Sequence, residues 1–344
     1  MKTYCVAIVG AMGAVGQQMV KMLEASSIEV GVFKPLDLAE NVGELIEFRD
    51  SAWAVQEAKE GKFTDVDIVL FAAGARASKI LAPIAVAEGA VVIDNSSQWR
   101  MDEDVPLVVP EVNAEALREH QGIVANPNCS TIQMVMALKP LYEAFGIKRV
   151  VVSTYQSVSG NGLAGIEELR EQTQAVLEEE DFSIRAFPHQ VAFNVIPQID
   201  DFLENGYTKE EWKLVQETQK ILSSDIEVSP TAVRVPVFRG HSESINVEFE
   251  RSFELEEVFN VYEKTAGIAV VDELDRNEYP MPINSKGKSS VFIGRIRRDF
   301  SLKSGINMWV VSDNLTKGAA LNTVQIAEKM IQMDLITPKT PSEA

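Results

Sequence analysis

YCVAIVGAMGAVG, the sequence of residues 4–16, is the stretch that decides the fold. Its apolar first part, Tyr4–Val9, predicts a β-strand, and the apolar spacing that begins at Val15 predicts a helix. Between strand and helix the glycines at 10, 13 and 16 form a GxxGxxG motif. Such glycines permit a tight turn and let a phosphate approach the N–H groups of the helix N-terminus. Taken alone, the motif fits a dinucleotide site and an empty turn equally well.

The sequence that follows favours the dinucleotide interpretation. Further strands are predicted at 30–33, 68–72 and 90–93, separated by helix-length segments. This alternation is typical of βαβ crossovers and a parallel sheet. A glycine loop at the first strand–helix junction of such a series is where a Rossmann-type domain binds a dinucleotide, through Gly10, Gly13 and Gly16.

The second half of the chain has a different pattern. It contains strand-like and helical segments without the regular alternation of the first half. Strands are predicted at 149–155, 231–238, 244–250 and 307–311, and helices at 163–180, 209–222 and 316–333. We therefore expect an α/β protein. Residues 1–128, completed by a C-terminal helix at 316–335, would form the Rossmann-type dinucleotide-binding domain. Residues 129–315 would form an α+β catalytic and dimerisation domain with a mostly antiparallel sheet.

Composition excludes several classes of protein. The 344 residues include 32 Lys plus Arg and 51 Asp plus Glu, a formal charge of −19. This acidic excess argues against nucleic acid and anionic membranes as partners. The 46% hydrophobic content is too high for a mainly disordered chain. No stretch suggests a signal peptide, a transmembrane helix or a metal site, so a reducing cytoplasm is the expected location.

The two cysteines lie in different contexts. Cys5 is inside the first predicted strand and should belong to the core. Cys129 follows the turn Asn126-Pro127-Asn128 and precedes a helical pattern. A thiol at a helix N-terminus is favoured as a thiolate, and the polar neighbours suit a pocket better than a core. A buried, inert cysteine is the alternative.

A reactive thiolate needs an acid or base, and three histidines are available. His120 is predicted to be solvated surface and His189 to be structural. His241 follows a predicted strand and a glycine, from which its side chain could reach a cleft. Together, a nucleotide loop, a nucleophilic cysteine and a histidine suggest that a thiolate attacks an aldehyde, hydride passes to a nicotinamide, and phosphate or water releases the acyl group.

Seven sequence blocks also resemble one family in order along the chain. They are GAMGAVGQQM (10–19), VVIDNSSQWRMDEDVPLVVPEVN (91–113), ANPNCSTIQMV (125–135), VSTYQSVSGNGLAGIEEL (152–169), FPHQVAFNVIPQID (187–200), RVPVFRGHSESI (234–245) and WVVSDNLTKGAALNTVQIAE (309–328). The chain thus resembles the bacterial aspartate-β-semialdehyde dehydrogenases over nearly its whole length.

This resemblance implies NADP-dependent reductive dephosphorylation of L-aspartyl-4-phosphate to aspartate semialdehyde and phosphate, in lysine, threonine and methionine biosynthesis. It implies Cys129 as the acyl-thioester nucleophile, His241 as acid/base and Gln156 as the residue that orients the intermediate. Small molecules would be the partners, and the chain would form a homodimer or a dimer of dimers.

The resemblance also implies substrate and cofactor contacts. Arg234 would bind the substrate α-carboxylate, Glu217 its amino group, and Arg100 and Lys220 its phosphate. The cofactor would contact Met12, Ala14 and Val15 of the glycine loop together with Ser159, Gly160 and Asn314.

The chain departs from the family after its second strand. Many relatives place a Ser-Ala-Arg-Ser-like segment there for the 2′-phosphate, whereas this chain has Leu38-Ala39-Glu40-Asn41. NADP is the cofactor that the resemblance implies, and Glu40 leaves NAD or dual use open. The alternative functions are an N-acetylglutamyl-phosphate-type reductase, a non-redox cysteine acyltransferase or hydrolase, and a non-catalytic binding protein.

Overall fold

A computed structural model describes residues 2–339. The chain forms two compact units. One comprises the chain up to Pro127 and the segment from Ala319 onward, and the other comprises Asn128–Gly318. Within residues 2–339, no helix is both long enough and apolar enough to cross a bilayer.

The first unit contains eight of the strands in the described residues. They are β1 (Tyr4–Val9), β2 (Val30–Asp37), β3 (Leu45–Phe48), β4 (Ser51–Ala54), β5 (Gln56–Glu57), β6 (Ile68–Phe71), β7 (Val91–Asp94) and β8 (Ile123–Ala125). Its helices before Pro127 are α1 (Ala14–Glu24), α2 (Ala75–Ala87) and α3 (Pro110–Asn113).

Six of these strands form a parallel sheet in the order β5-β2-β1-β6-β7-β8. Alternate side chains of β1 enter two cores, with Val6 and Ile8 on one face and Ala7 and Val9 on the other. Both faces are thus buried, which explains the uninterrupted apolar sequence of β1. The chain leaves β1 for β2 on one side and later returns to β6 on the other. Ligands of open α/β sheets bind at the carboxyl end of the strands at such a switch point, and the glycine loop lies there.

The second unit is built around a mixed sheet. Its strands are β9 (Ile147–Gln156), β10 (Glu227–Arg234), β11 (His241–Phe249), β12 (Ile268–Val270), β13 (Val291–Arg298) and β14 (Gly305–Ser312). Its helices are α4 (Cys129–Phe145), α5 (Gly162–Glu178), α6 (Lys209–Ile221), α7 (Leu255–Glu263) and α8 (Pro282–Ser285).

The sheet order is β10-β9-β11-β14-β13-β12. The three central pairings are antiparallel and the two outer ones are parallel, which agrees with the predicted mostly antiparallel sheet. The strand predicted at 231–238 is shifted, because β10 spans Glu227–Arg234. Pro230 is tolerated there since β10 is an edge strand. The last register pair of β10 with β9 is Arg234 with Gln156, and Pro236 beyond it has no N–H to extend the ladder.

The segment predicted as one helix at 316–333 has two parts. Residues Thr316–Ala320 form a π-turn, and α9 (Leu321–Gln332) continues as a regular helix. π-turns often mark functional sites. The buried side chains of α9, among them Val324 and Met330, pack into the core of the first unit.

Candidate active site

The sheet of the second unit brings three of the predicted site residues together at one end of its strands. Gln156 and Arg234 end the parallel strands β9 and β10 and are register partners. His241 begins the antiparallel strand β11 and pairs with Ser312, the last residue of β14. Because β9 and β10 are parallel and β11 runs antiparallel to them, the ends of β9 and β10 lie beside the start of β11.

Cys129 is the first residue of α4 and is half-buried. The preceding Asn128 caps the helix, since its Oδ1 accepts hydrogen bonds from the N–H groups of Ser130 at 2.9 Å and Thr131 at 3.4 Å. The sulfur thus lies at the positive end of the helix dipole. By contrast, Cys5 lies in the core as predicted, and burial raises the pKa of its thiol to about 11.

Two carboxylates of α6 fix Asn128 from the other side. Glu217 Oε2 accepts the Asn128 N–H at 2.7 Å, and Glu210 Oε1 accepts from Asn128 Nδ2 at 2.9 Å. Every polar group of this asparagine side chain is therefore engaged, so the start of the cysteine helix is held against α6. Lys220, one turn after Glu217, is half-buried near the C-terminus of α6.

Glu210 also holds Gln156. Its Oε1 accepts from Gln156 Nε2 at 3.0 Å, and Lys213 Nζ lies 3.1 Å from its Oε2. Burial alone would raise the pKa of Glu210, but the charge of Lys213 and the hydrogen bonds from Gln156 and Asn128 outweigh burial and lower that pKa to about 2. A permanent carboxylate thus connects the cysteine helix with the end of β9.

His241 is completely buried. Its Nδ1 accepts the backbone N–H of Ser157 at 3.0 Å, which assigns the ring proton to Nε2. Burial and then the positive charge of Arg234 lower the pKa of the imidazole to about 3. Within residues 2–339, Nε2 has no hydrogen-bond partner, so an N–H donor is available to a ligand.

The other two histidines differ from expectation. His120 is half-buried rather than solvated, and its Nδ1 accepts the Gly122 N–H at 3.1 Å. His189, predicted to be structural, is exposed.

Arg234 is 6% exposed, and its guanidinium donates to the Ser157 carbonyl at 2.6 Å. It lies 5.7 Å above the ring centre of Phe187, a cation–π distance. Burial lowers the pKa of its guanidinium, against the opposing charge of Glu210. A buried, preoriented guanidinium in the same unit as the cysteine is suited to bidentate binding of a carboxylate.

Two glycines leave room around these groups. A Cβ on Gly160 would lie 2.9 Å from the Arg234 guanidinium and 3.4 Å from His241 Nε2. A Cβ on Gly318, within the π-turn, would lie 3.0 Å from Cys129 Cβ. A side chain at either position would crowd the reactive groups, so the absence of side chains there keeps the site open.

The predicted cofactor residues Ser159 and Asn314 form one hydrogen-bonded cluster. Asn314 Oδ1 accepts from Ser157 Oγ at 3.1 Å and from the Gly240 N–H at 2.9 Å, and Asn314 Nδ2 donates to Ser159 Oγ at 3.0 Å. The cluster therefore ties the turn after β9 to the residue that precedes His241.

The glycine loop of the first unit is built for close backbone contact. Gly10 has a φ of +82°, and a Cβ there would lie 2.9 Å from the backbone of Ala72 and Ala73. A Cβ on Gly16 would lie 2.1 Å from the Gly10 carbonyl oxygen. At Gly13, the N-cap of α1, the nearest atom is 3.5 Å away. Gly10 and Gly16 thus shape the loop, and Gly13 leaves its outer side open.

Arg100 also belongs to the first unit. It is 8% exposed, and its NH2 donates to the Asn95 carbonyl at 3.0 Å, just beyond the carboxyl end of β7. Burial is the main influence on Asp94 and raises the pKa of its carboxyl, against hydrogen bonds from Ser96 and the charge of Arg100. In residues 2–339, no group of His, Cys, Asp and Glu side chains could hold a metal ion.

Sequence reasoning missed three residues that organise the second unit: Asn128, Ser157 and Glu210. Asn128 could have been found from its position before a helix, because asparagine is a preferred N-cap. Glu210 gives no signal of its own, since it resembles the first-turn acids that any helix favours.

Known proteins resemble the chain throughout. Residues 5–120 match the family model described as semialdehyde dehydrogenase, NAD binding domain, and residues 138–317 match semialdehyde dehydrogenase, dimerisation domain. The aspartate-semialdehyde dehydrogenase of Aquifex aeolicus is 51% identical over 97% of this chain and 99% of its own length.

Solved structures agree. Aspartate semialdehyde dehydrogenase II of Vibrio cholerae, complexed with ASA, has a TM-score of 0.94 at 48% identity and covers 96% of this chain and 99% of its own. The Candida albicans enzyme with NADP has a TM-score of 0.77 at 26% identity, covering 97% and 100%. The chain belongs to the aspartate-semialdehyde dehydrogenase family.

Proposed function

We propose that the chain reduces L-aspartyl-4-phosphate to L-aspartate 4-semialdehyde and phosphate through an acyl-thioester on Cys129. The observation that carries this proposal is the half-buried thiol at the capped N-terminus of α4, in the same unit as a buried guanidinium and a neutral imidazole donor. The Vibrio cholerae relative complexed with ASA supports the choice of substrate.

In the biosynthetic direction, Cys129 Sγ attacks the acyl carbon. A C–S bond forms, the C–O bond to phosphate breaks, and the thiol proton ends on the departing phosphate. Hydride for the thioester carbon is what a reduced nicotinamide supplies when bound. The resulting thiohemiacetal oxyanion reforms its C=O bond and expels the Cys129 thiolate, which solvent reprotonates.

His241 acts in this proposal as a hydrogen-bond donor. Its Nδ1 accepts the Ser157 N–H, and its Nε2–H has no partner within residues 2–339, so that N–H is the one that would bind the ligand. A donor fixed in a buried site stabilises the negative oxygen of the tetrahedral states without reorganising. Because burial and the charge of Arg234 lower the pKa of His241 to about 3, the imidazole is neutral near pH 7 and can donate from Nε2.

The remaining substrate contacts follow the family resemblance. Arg234 pairs with the α-carboxylate, Glu217 with the amino group, and Arg100 and Lys220 with the phosphate. Gln156 orients the acyl group while Glu210 holds its amide nitrogen. Because the chain carries a charge of −19, such local cations supply the attraction for an anionic substrate.

For the hydride donor, we propose a nicotinamide dinucleotide bound at the glycine loop, with Ser159, Gly160 and Asn314 close to the nicotinamide. The resemblance and the NADP-bound Candida albicans relative favour NADP. The residues after β2, however, do not fit a 2′-phosphate, because the resemblance places Glu40 where many relatives carry the arginine of a Ser-Ala-Arg-Ser-like segment. A homodimer or dimer of dimers through the second unit is the proposed assembly, in a reducing cytoplasm that preserves the thiol.

The test is oxidation of L-aspartate semialdehyde, followed by the absorbance of the reduced nicotinamide. We expect reduction that requires phosphate, and its loss in Cys129→Ala with nucleotide binding retained. Aldehyde consumption without nicotinamide reduction would instead indicate a hydrolase, and preference for the N-acetylglutamyl compound would indicate the related reductase.

A further inference from the structure

The carboxyl end of β2 presents an acid beside the glycine loop. Asp37 ends the strand and is 7% exposed. Its Oδ2 accepts the Met12 N–H at 2.8 Å, and its Oδ1 accepts from the Leu38 N–H at 2.8 Å and from Asn41 Nδ2 at 3.0 Å. Three donors therefore fix this carboxylate between the middle of the glycine loop and the turn that follows β2.

The turn after Asp37 adds a second acid. Residues Ala39–Asn41 form a short 3₁₀ helix, and Glu40 on it is exposed. Asn41, bound to Asp37, holds this turn against the end of the strand. The two carboxylates thus occupy one short segment, and that segment contains no lysine or arginine.

The four cations of residues 34–62 are already engaged with other groups. Arg49 donates to the backbone carbonyls of Val30 and Ile28. Lys34 forms an ion pair with Asp65, and Lys59 lies 2.5 Å from a carboxylate oxygen of Glu57. Lys62 donates to Gln56 Oε1 at 3.1 Å. Glu57 is itself the register partner of Asp37 on the edge strand β5. The carboxyl end of β2 is therefore surrounded by acids, and each Lys and Arg among residues 34–62 already has a hydrogen-bond or ion-pair partner.

An acid about 20 residues after the glycine motif accepts a hydrogen bond from the ribose 2′-OH of NAD, whereas an arginine in this region accommodates the 2′-phosphate of NADP. A phosphate monoester carries about −1.5 to −2 charges near pH 7, so carboxylates oppose it. We propose that this chain binds NAD in preference to NADP, with Asp37 and Glu40 as the residues that select against the 2′-phosphate. This inference rests on the dinucleotide use in the proposed function and names its nucleotide.

The test measures the dissociation constants of NAD⁺ and NADP⁺ by isothermal titration calorimetry, without the aldehyde substrate. We expect the wild-type chain to bind NAD⁺ at least about tenfold more tightly, equivalent to about 1.4 kcal/mol. Glu40→Arg should shift the ratio of the two constants at least about tenfold toward NADP⁺. Glu40 is exposed, so the thermal unfolding midpoint of this variant should match the wild type.

Glu44→Arg is the matched control, because Glu44 is exposed, lies four residues further on and makes only backbone hydrogen bonds among those described for it. It makes the same charge change and should move the ratio less than about threefold. Tighter binding of NADP⁺ by the wild type would overturn the proposal, and so would an unchanged ratio in Glu40→Arg or an equal shift in Glu44→Arg. Nucleotide binding that follows the prediction, without aldehyde oxidation, would refute only the proposed function.

Discussion

The glycine loop of the first unit and the cysteine site of the second unit are constructed in opposite ways. The loop is contiguous, and its shape depends on backbone contacts within residues 10–16 and with Ala72 and Ala73. The cysteine site combines Asn128, Gln156, Glu210, Arg234 and His241 through side-chain hydrogen bonds and the register of three strands. A binding loop can thus be encoded by one short motif, whereas a reaction centre depends on long-range pairing.

The largest expected effect concerns the backbone contacts of the glycine loop. Gly16→Ala would place a Cβ 2.1 Å from the Gly10 carbonyl oxygen, so the loop backbone must move. We expect the free energy of unfolding to fall by about 3 kcal/mol, measured by denaturant titration without nucleotide.

Gly13→Ala is the control for this loss, because its Cβ would meet nothing closer than 3.5 Å. It should lower the free energy of unfolding by less than about 1 kcal/mol, the usual cost of alanine at an N-cap. It should nevertheless weaken nucleotide binding, since the new methyl group occupies the side left for the ligand. Equal stability of the two variants would contradict the proposed roles of these glycines.

The second prediction concerns the long-range hydrogen bonds of the cysteine site. Glu210→Gln replaces a carboxylate that serves Asn128, Gln156 and Lys213 with an amide that offers a single oxygen acceptor. We expect kcat to fall about 10–100-fold, because misplacement of positioning groups has effects of this size. Nucleotide affinity should be unchanged.

A merely structural role of Glu210 would give a different result. The rate of Cys129 alkylation by iodoacetamide should also change in Glu210→Gln, since Asn128 caps the helix that carries the thiol. Glu204→Gln, an exposed position on the preceding loop, provides the control and should leave both rates at the wild-type value. Normal alkylation with reduced stability alone would show that Glu210 only supports the fold.

The third prediction concerns how the free energy of unfolding changes with pH because of His241. His241 has a pKa of about 3 in the folded chain, against 6.5 as its ordinary value. Below about pH 6.5 the imidazole binds a proton in the unfolded chain but not in the folded chain. The free energy of unfolding therefore declines as the pH falls. One such group contributes up to about 1.4 kcal/mol per pH unit until the folded pKa is reached.

Unfolding curves between about pH 6.5 and 5 test this prediction, because carboxylates with ordinary pKa values are mostly ionised there. The wild type should lose stability across this range faster than His241→Asn, which has no titrating imidazole at this position. Parallel losses in the two proteins would mean that His241 is not held neutral by its surroundings.

The same contrast explains how much the sequence could predict. Strand β1 begins and ends at the predicted residues. Helix α6 begins at the predicted residue, which a capping box formed by Thr208 and Glu211 precedes, and ends one residue earlier than predicted. Local apolar spacing and capping chemistry are readable in a single sequence. The extent of β10 was not, because it depends on parallel pairing with β9 across a separation of many residues.

The site follows the same rule. Cys129 could be singled out because a proline–asparagine turn before a helical pattern is a local signal. Glu210 could not, since its role arises only where α6 packs beside the start of α4. The tautomer of His241 likewise depends on a backbone N–H from residue 157, which no local pattern indicates. The proposed roles of Arg100, Glu217 and Lys220 remain predictions.

The central claim is that the sulfur of Cys129 is acylated during turnover. The most direct measurement supplies L-aspartate semialdehyde and oxidised nucleotide without phosphate, quenches the protein in acid, and determines its mass and the modified peptide. We predict an added aspartyl acyl group on the peptide that contains Cys129, released by hydroxylamine and absent in Cys129→Ala. Turnover on addition of phosphate with no such adduct, or with the adduct on another residue, would contradict the account.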